Sequence, residues 1–400
     1  MADQNRINAL GQSFSPSAPI DQQDLFAGRI SQLITVMNAI NQKGQHAILF
    51  GERGVGKTSL ARVLSRGLLI NNQPILVASL NCDSGMSFSD LWRNVLREVR
   101  MFSVKPGVGF TSEAVQTSAS LIEMLPEKVT PSDVRHVLGS LGRSLIIFDE
   151  IDRLSDPEIP TLLADTIKTL SDYAVDTTLL LVGVADSVDA LIAEHQSVER
   201  ALVQVRMPRM SPPELEQIID KGLKPAGMVI EPAARQRIVA LSQGLPHYTH
   251  LLTLNASQRA ALLDRVEVSV PDVRAAIDNS LANAQQSIVG SYHRATASPR
   301  ENLYPQVLLA CALARPDNLG YFAAIDVRGP LSLIMKKAYD IPAFSQHLNA
   351  FCEGGRGPVL QRTGTARRYR FRFVNPLMQP YVVMDGIRKG LVPDESISRP

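Results

Sequence analysis

Cysteine is scarce in this sequence. Its 400 residues hold three, Cys82, Cys311 and Cys352, far apart and without a CxxC pair. That excludes a disulfide framework and a zinc site built on paired thiols, and it points to a reducing compartment with structural thiols. The seven histidines are scattered as well. Long hydrophobic runs are missing: the one around Leu179–Val184 has strand length, and none approaches the roughly 20 residues that span a bilayer. No membrane partner is expected. The N-terminal stretch lacks the basic flank and apolar core of a signal peptide, so residues 1–22 read as a mobile leader and the chain as cytoplasmic. An excess of one charge is missing too: the net charge of +2 excludes no class of partner. Its distribution says more. Residues 301–400 carry 13 basic against 8 acidic side chains, and the remainder 28 against 31.

What is present is an ordinary globular composition, 45% hydrophobic and 20% charged, in a chain long enough for two or three domains. Ile30, Leu33, Ile34, Met37 and Ile40 recur at helical steps, and Ala47–Phe50 is a short buried-strand run. Leu60, Val63 and Leu64 resume helical spacing. Ile75–Leu80, Leu145–Phe148 and Thr178–Val184 are further strands, and Phe88, Leu91, Trp92, Val95, Leu96 and Val99 form one helical stripe. Strands alternating with helices predict a parallel sheet covered on both faces. Residues 103–130 give a weaker signal and read as a loop or an inserted helix pair. Met207–Pro213 breaks the pattern, residues 213–284 read as entirely helical, and the Ser/Ala/Thr/Pro-rich stretch 291–300 as a linker. The expected organisation is a leader (1–22), an α/β core (23–210), a helical lid (211–290) and a C-terminal unit (300–392).

Two motifs carry chemistry. Gly51-Glu52-Arg53-Gly54-Val55-Gly56-Lys57-Thr58 fits GxxxxGK[ST] in full, with a strand before it and a helix after it. Glycines let backbone N–H groups wrap a β-phosphate, and the following helix directs its positive N-terminus, from Ser59 onward, at the same anion. Lys57 is placed for the β/γ-phosphates of ATP and Thr58 for Mg²⁺. About 90 residues on, Leu145-Ile146-Ile147-Phe148-Asp149-Glu150 is an apolar strand ending in two carboxylates, where ligands bind in such sheets. Asp149 is expected to hold Mg²⁺, directly or through water, and Glu150 to polarise the attacking water. Kinases, GTPases and recombinases share these motifs. The paired acids and the helical segment after the sheet favour the AAA+ class.

The chain resembles AAA+ ATPases of the origin-recognition/Cdc type, the initiator and helicase-loader clade, and their bacterial relatives. The likeness is carried over residues ~20–285 by Phe26-Ala27-Gly28-Arg29, GERGVGKTSLA, Asn81-Cys82, Phe148-Asp149-Glu150-Ile151-Asp152, Leu181–Asp186, Pro208–Leu215 and Gly244-Leu245-Pro246-His247. The resemblance implies that Gly28 and Arg29 lie near the adenine. It implies that Asp186 stands at the first sensor position, where the family usually has Asn, Thr or Ser, with Ser187 as a substitute. It makes Arg200 the first candidate for an arginine finger, with Arg206 and Arg209 as rivals, and it puts His247 where the lid usually offers Arg. Asp and His at these positions imply slow hydrolysis, a switch rather than a motor. Self-association through the ATP site follows from a finger that acts on a neighbour.

Residues 302–390 read as a winged helix-turn-helix. Leu303, Val307, Leu308, Cys311 and Ala312 mark a first helix, Pro330–Tyr339 a second and Pro342–Cys352 a third. Val359–Arg362, a Thr363-Gly364 turn and Arg367–Phe373 then predict a β-hairpin. Alternation puts Tyr369, Phe371 and Phe373 in the core and Arg368, Arg370 and Arg372 on the other face, roughly 6–7 Å apart. Arg362, Arg367, Lys336 and Lys337 add to a surface suited to the phosphates of duplex DNA. The third helix, with Ser345, Gln346 and Asn349, offers little base readout. The expected function is an ATP-dependent DNA-binding switch serving replication, transposition or phage defence. The alternative is a signalling ATPase whose winged helix contacts a partner protein or its own core.

Overall fold

Five parallel strands carry the alternation read from the sequence: β1 (His46–Gly51), β2 (Leu76–Asn81), β3 (Ser144–Asp149), β4 (Thr177–Val184) and β5 (Leu202–Arg206). Their order across the sheet is β2-β3-β4-β1-β5. The computed structural model describes residues 4–16, 27–67, 69–70, 73–97, 99–105, 115–185, 188, 191–192, 196–298, 302–317, 319–365 and 368–392. The chain forms two compact units. One comprises Arg29–Gly51 and Lys57–Met207; the other comprises Met1–Gly28, Glu52–Gly56 and Pro208–Pro400.

In the sheet unit β1 and β3 are buried at every residue, as strands covered on both faces require. β4 lies between β1 and β3, with Gly51 level with Val184 and Phe148 level with Leu181. The stripe on the helix Phe88–Arg97 packs Trp92 against Phe148, with ring centroids 5.2 Å apart and nearly perpendicular. β5, just ahead of the Met207–Pro213 break, was not foreseen; it pairs with β1 from His46↔Leu202 to Phe50↔Arg206. Its short Leu-Val-Gln-Val-Arg run buries Leu202 and Val205 and exposes Gln204 and Arg206, as suits the edge of the sheet. The expected loop or helix pair at 103–130 is instead an antiparallel hairpin, Arg100–Lys105 with Val115–Ser120. It is followed by a short 3₁₀ turn and the helix Pro131–Gly139, whose Thr130 and Asp133 form a capping box.

The other unit is mostly helical. Prolines open its helices: Pro212, from the expected break, and Pro232, Pro246 and Pro271 sit at the first or second position of the helices Pro212–Leu223, Pro232–Ser242, Pro246–Leu262 and Val270–Ala282. There the missing N–H costs no hydrogen bond. The strandless expectation needs one small amendment, a two-residue parallel pairing of Val229–Ile230 with Glu267–Val268. The mobile leader is corrected for its described part. Gln4–Ser13 is a helix, and Leu10 and Phe14 are buried among the lid helices. Ile7, Leu10 and Phe14 are spaced at three and four residues, a stripe hidden among polar neighbours. The expected linker is corrected as well: Gln286–Thr296 is a helix with Ile288, Tyr292 and Ala295 buried.

The C-terminal part runs helix Tyr304–Leu313, strand β6 (Phe322–Ala323), helices Ala324–Met335 and Ile341–Ala350, strands β7 (Leu360–Thr363) and β8 (Arg370–Phe373), and helix Met378–Arg388. β6-β8-β7 form one antiparallel sheet. This order fits a winged helix. Its second helix begins six residues before Pro330, because Asp326 caps it by accepting the Ala323 amide. Lid, N-terminal helix and winged domain share one hydrophobic core, which includes Phe14, Leu252, Leu308, Phe344 and Phe373.

Candidate functional site

The sheet unit brings together Lys57, Thr58, Asp149 and Glu150. Lys57 opens the helix Lys57–Gly67, is buried, and donates from Nζ to the Gly51 carbonyl at 2.9 Å. Gly51 ends β1 with φ 146°, and a Cβ there would lie 2.4 Å from the Met207 carbonyl oxygen, so only glycine fits. Asp149 ends β3 and is only 6% exposed. Burial raises its carboxyl above the ordinary value, while the Thr58 hydroxyl, which donates to it, the Glu150 amide and the Lys57 charge pull the other way. A buried carboxylate bonded to a threonine hydroxyl is a hard-oxygen donor set that fits Mg²⁺. Among the described residues no group of three or more His, Cys, Asp or Glu could hold a metal.

Glu150 has φ 59° and ψ 38°, left-handed and uncommon for a side-chain residue. The turn swings its carboxylate out of the strand direction, where Oε2 accepts from Arg153 Nη1 at 2.8 Å. Asp152 accepts the Val184 amide at 2.7 Å and so pins the end of β4, the strand between the two motifs. Neither role was foreseen for Asp152 or Arg153; the place of Asp152 in the acidic motif, with Arg153 next to it, was the only signal. Cys82 donates its amide to the Asp149 carbonyl at 2.8 Å. Burial, then Asp149, pushes its thiol up to about 12, so Cys82 is structural. Arg200 is exposed in the turn after the helix Gln196–Glu199, and Arg206 is exposed on β5. Arg29 starts the helix Ile30–Ile40 in a left-handed conformation with its side chain buried. Asp186 and Ser187 lie outside the described residues.

In the helical unit the segment Glu52–Gly56 carries Gly54 and Gly56 at φ 84° and 96°, Val55 buried and Arg53 exposed. Glu52 is held by Arg209: Nε donates to Oε2 at 2.7 Å and Nη2 to Oε1 at 2.9 Å. Arg209 Nη1 also donates to the Gln243 carbonyl and, at 2.7 Å, to Gln379 Oε1 on the last helix. Arg209 therefore belongs to its own chain's interior, which removes it as a rival for the finger. Nothing in the sequence flagged Gln379. Gly28 donates its amide to Gln217 Oε1 at 3.1 Å. His247 Nδ1 lies 2.7 Å from the Pro16 carbonyl oxygen, and burial lowers its imidazole below the ordinary value although that carbonyl opposes the shift. His247 is thus neutral near pH 7 and serves the N-terminal segment.

The wing matches the expected alternation in part. Phe371 and Phe373 are buried, whereas Tyr369 is half-buried ahead of the strand. Arg368 is exposed. Arg370 is 2.5 Å from Asp317 Oδ2, Arg372 donates to the Leu319 carbonyl at 3.3 Å, and both guanidiniums lie over the Tyr321 ring, at 5.7 and 4.6 Å. Arg362 stacks on Tyr369 and donates to Asn349 Oδ1 at 2.8 Å. Lys336 and Lys337 are exposed at the end of their helix. Arg367 lies outside the described residues. The stripe is therefore folded partly onto its own domain, a feature that alternation alone cannot reveal.

Residues 40–192 match the model of a family described as an AAA domain. No curated protein matches the chain. Among solved structures, the Walker-type ATPase of Pyrococcus abyssi is similar, 14% identical, covering 92% of this chain and 98% of that one with a TM-score of 0.50. The ORC2 protein of Aeropyrum pernix in its ADPNP–ADP complexes is 15% identical over 95% and 98%, with a TM-score of 0.46. The Holliday junction branch migration motor RuvB of Thermotoga maritima is 16% identical over 87% and 93%, with a TM-score of 0.42. Among the described residues no helix is long and apolar enough to cross a membrane. Strand order, phosphate loop and lid together give this chain the fold of an AAA+ P-loop ATPase core followed by a helical lid and a winged-helix-like domain.

Proposed function

We propose that this chain is a cytoplasmic AAA+ switch that binds ATP with Mg²⁺, hydrolyses it slowly, assembles with copies of itself in an ATP-dependent way and grips duplex DNA through its wing. The observation that carries the reading is the Thr58 hydroxyl bonded to the buried Asp149 carboxylate at the end of a central strand, with Lys57 on the same loop. Thr58 and Asp149 hold Mg²⁺, which supplies positive charge against the phosphates. Lys57 exchanges the Gly51 carbonyl for a phosphate oxygen. Glu150 leaves Arg153 to orient and deprotonate water. That exchange of partners fits slow turnover, and the exposed Arg200 is the finger offered to a neighbour. Arg362, Arg367, Arg368, Arg370 and Arg372, with Lys336 and Lys337, form the DNA-facing surface. Replication, transposition or phage defence is the setting.

Duplex binding measured with ATP, ADP and no nucleotide across a salt series tests this. Binding that needs ATP and steepens by about 0.9 in log–log slope per phosphate contact is the expected result. An absence of binding in every nucleotide state would reject it. A second reading, a signalling switch, is favoured by a separate observation: Leu377 lies 3.5 Å from where a Cβ on Gly54 would stand, and Gln379 bonds Arg209. A tight ADP-bound monomer without DNA affinity would support that reading.

A further inference from the structure

One short turn stands between the phosphate loop and the wing. Asp317 organises it: Oδ1 accepts the amides of Leu319 at 2.8 Å and Tyr321 at 2.9 Å. Its backbone amide donates to the Tyr321 carbonyl at 2.8 Å, and its carbonyl accepts the Gly320 amide at 3.0 Å. On one side this turn engages the wing. Asp317 Oδ2 takes Arg370, the Leu319 carbonyl takes Arg372, and the Tyr321 ring lies beneath both guanidiniums. The Tyr321 hydroxyl accepts from Gln361 on β7 at 2.7 Å. On the other side the turn touches the phosphate loop: a Cβ on Gly320, at φ +82°, would lie 2.8 Å from Glu52 Oε1.

We propose that this turn masks the wing, with the Asp317 carboxylate occupying Arg370 in place of a DNA phosphate, and that the Gly320–Glu52 contact couples release of the mask to nucleotide at the phosphate loop. The inference rests on the DNA-binding reading of the wing. Carboxylate and phosphodiester compete for a guanidinium through the same charge-assisted hydrogen bond. Arg370 therefore has its charge matched by Asp317 and gains less from a duplex phosphate while the turn is in place, and Arg372 is held beside it by the Leu319 carbonyl. Glu52 sits among residues whose amides wrap a phosphate, so ATP that draws those amides inward shifts the carboxylate packed on Gly320. ATP drives the release only to the extent that it binds the unmasked form more tightly.

The test uses the full chain and a duplex of mixed sequence. In Asp317→Asn the amide oxygen still accepts from Leu319 and Tyr321, so the turn is kept while its charge is lost. Expected without nucleotide is a gain in duplex affinity of about two- to fivefold, the range an exposed ion pair spans. The salt slope should steepen by about 0.9 for each arginine released. With ATP the variant and the parent should converge. Gly320→Ala, which forces the turn off Glu52, should raise the nucleotide-free affinity towards the ATP level. The double variant Arg370→Gln, Arg372→Gln should abolish these gains. If that double variant binds like the parent with ATP, the wing is not the DNA contact and both readings fall. If the arginines matter for ATP-dependent binding but Asp317→Asn and Gly320→Ala leave the nucleotide-free affinity unchanged, the mask alone is overturned.

Discussion

Arg209 grips Glu52 with two nearly parallel hydrogen bonds, 2.7 and 2.9 Å long, and the two side chains are 12% and 5% exposed. The pair ties the phosphate loop to the segment leading into the lid, and Gln379 extends it to the last helix. Removing one partner of so dry a pair leaves a buried charge unmatched, a loss of about 3–5 kcal/mol. Arg209→Ala should therefore lower stability by that amount in urea unfolding. Arg209→Lys should recover only part, because an ammonium cannot form the fork. The pair Glu52→Gln, Arg209→Gln should cost less than the sum of the single changes. Strict additivity would show that the two residues do not act as a unit.

Catalysis by Glu150 is open to a direct test. Glu150→Gln should keep ATP bound and lower turnover by about two orders of magnitude or more, the usual yield of a general base. Lys57→Ala should abolish nucleotide binding itself. Arg153→Ala should raise turnover a few-fold, because it removes an exposed partner that competes for the carboxylate. Turnover in Glu150→Gln equal to the parent's, measured by phosphate release, would reject this residue as the base.

Stability should fall on the acid side for a stated reason. Burial pushes the His46 imidazole down to about 3; burial, helped by His247, takes His250 to about 4. A group whose folded value lies below the ordinary 6.5 binds its proton first in the unfolded chain. Its contribution is complete above pH 6.5 and is lost as pH falls towards 3–4, with a slope of up to about 1.4 kcal/mol per pH unit per group. His46 Nδ1 accepts the Leu179 amide at 3.0 Å. His46→Asn preserves an acceptor there without titrating, so it should flatten the decline between pH 6.5 and 4. Unfolding free energies across that range check this, and an unchanged slope would remove His46 from the account.

Phe14 fills a notch in the lid. A Cβ on Gly222 would lie 2.2 Å from its ring, and His250 meets that ring edge-on at 5.9 Å. Phe14→Ala should cost about 3–5 kcal/mol, and Gly222→Ala should dislodge the N-terminal helix. Proteolysis near residue 16 reports the dislodgement. Protection equal to the parent's in Gly222→Ala would mean that the ring has another seat.

How much was legible follows from the range of each signal. The phosphate loop, the strand ending in Asp149 and Glu150, and the strand–helix alternation lie in short contiguous stretches, where local pattern decides which residues share a face and a turn. The helices at Gln4–Ser13 and Gln286–Thr296 were equally local but masked by polar composition, and β5 by its length of five residues. The alternation in the wing was legible because period two fixes the buried face, as Phe371 and Phe373 bear out.

No local pattern encodes what each charge meets once the chain is packed. Glu52 finds Arg209 across 157 residues, Arg209 finds Gln379 across 170, and Arg370 finds Asp317 across 53. Residue type and spacing suffice to propose a nucleotide site at Gly51–Thr58 and Asp149, because backbone geometry and charge at adjacent positions carry that chemistry. Which arginine is paired beside its own phosphate loop, and which wing guanidiniums already carry an internal partner, follow from long-range packing. Ion pairs form between side chains that the fold brings within about 4 Å, whatever their separation in the chain.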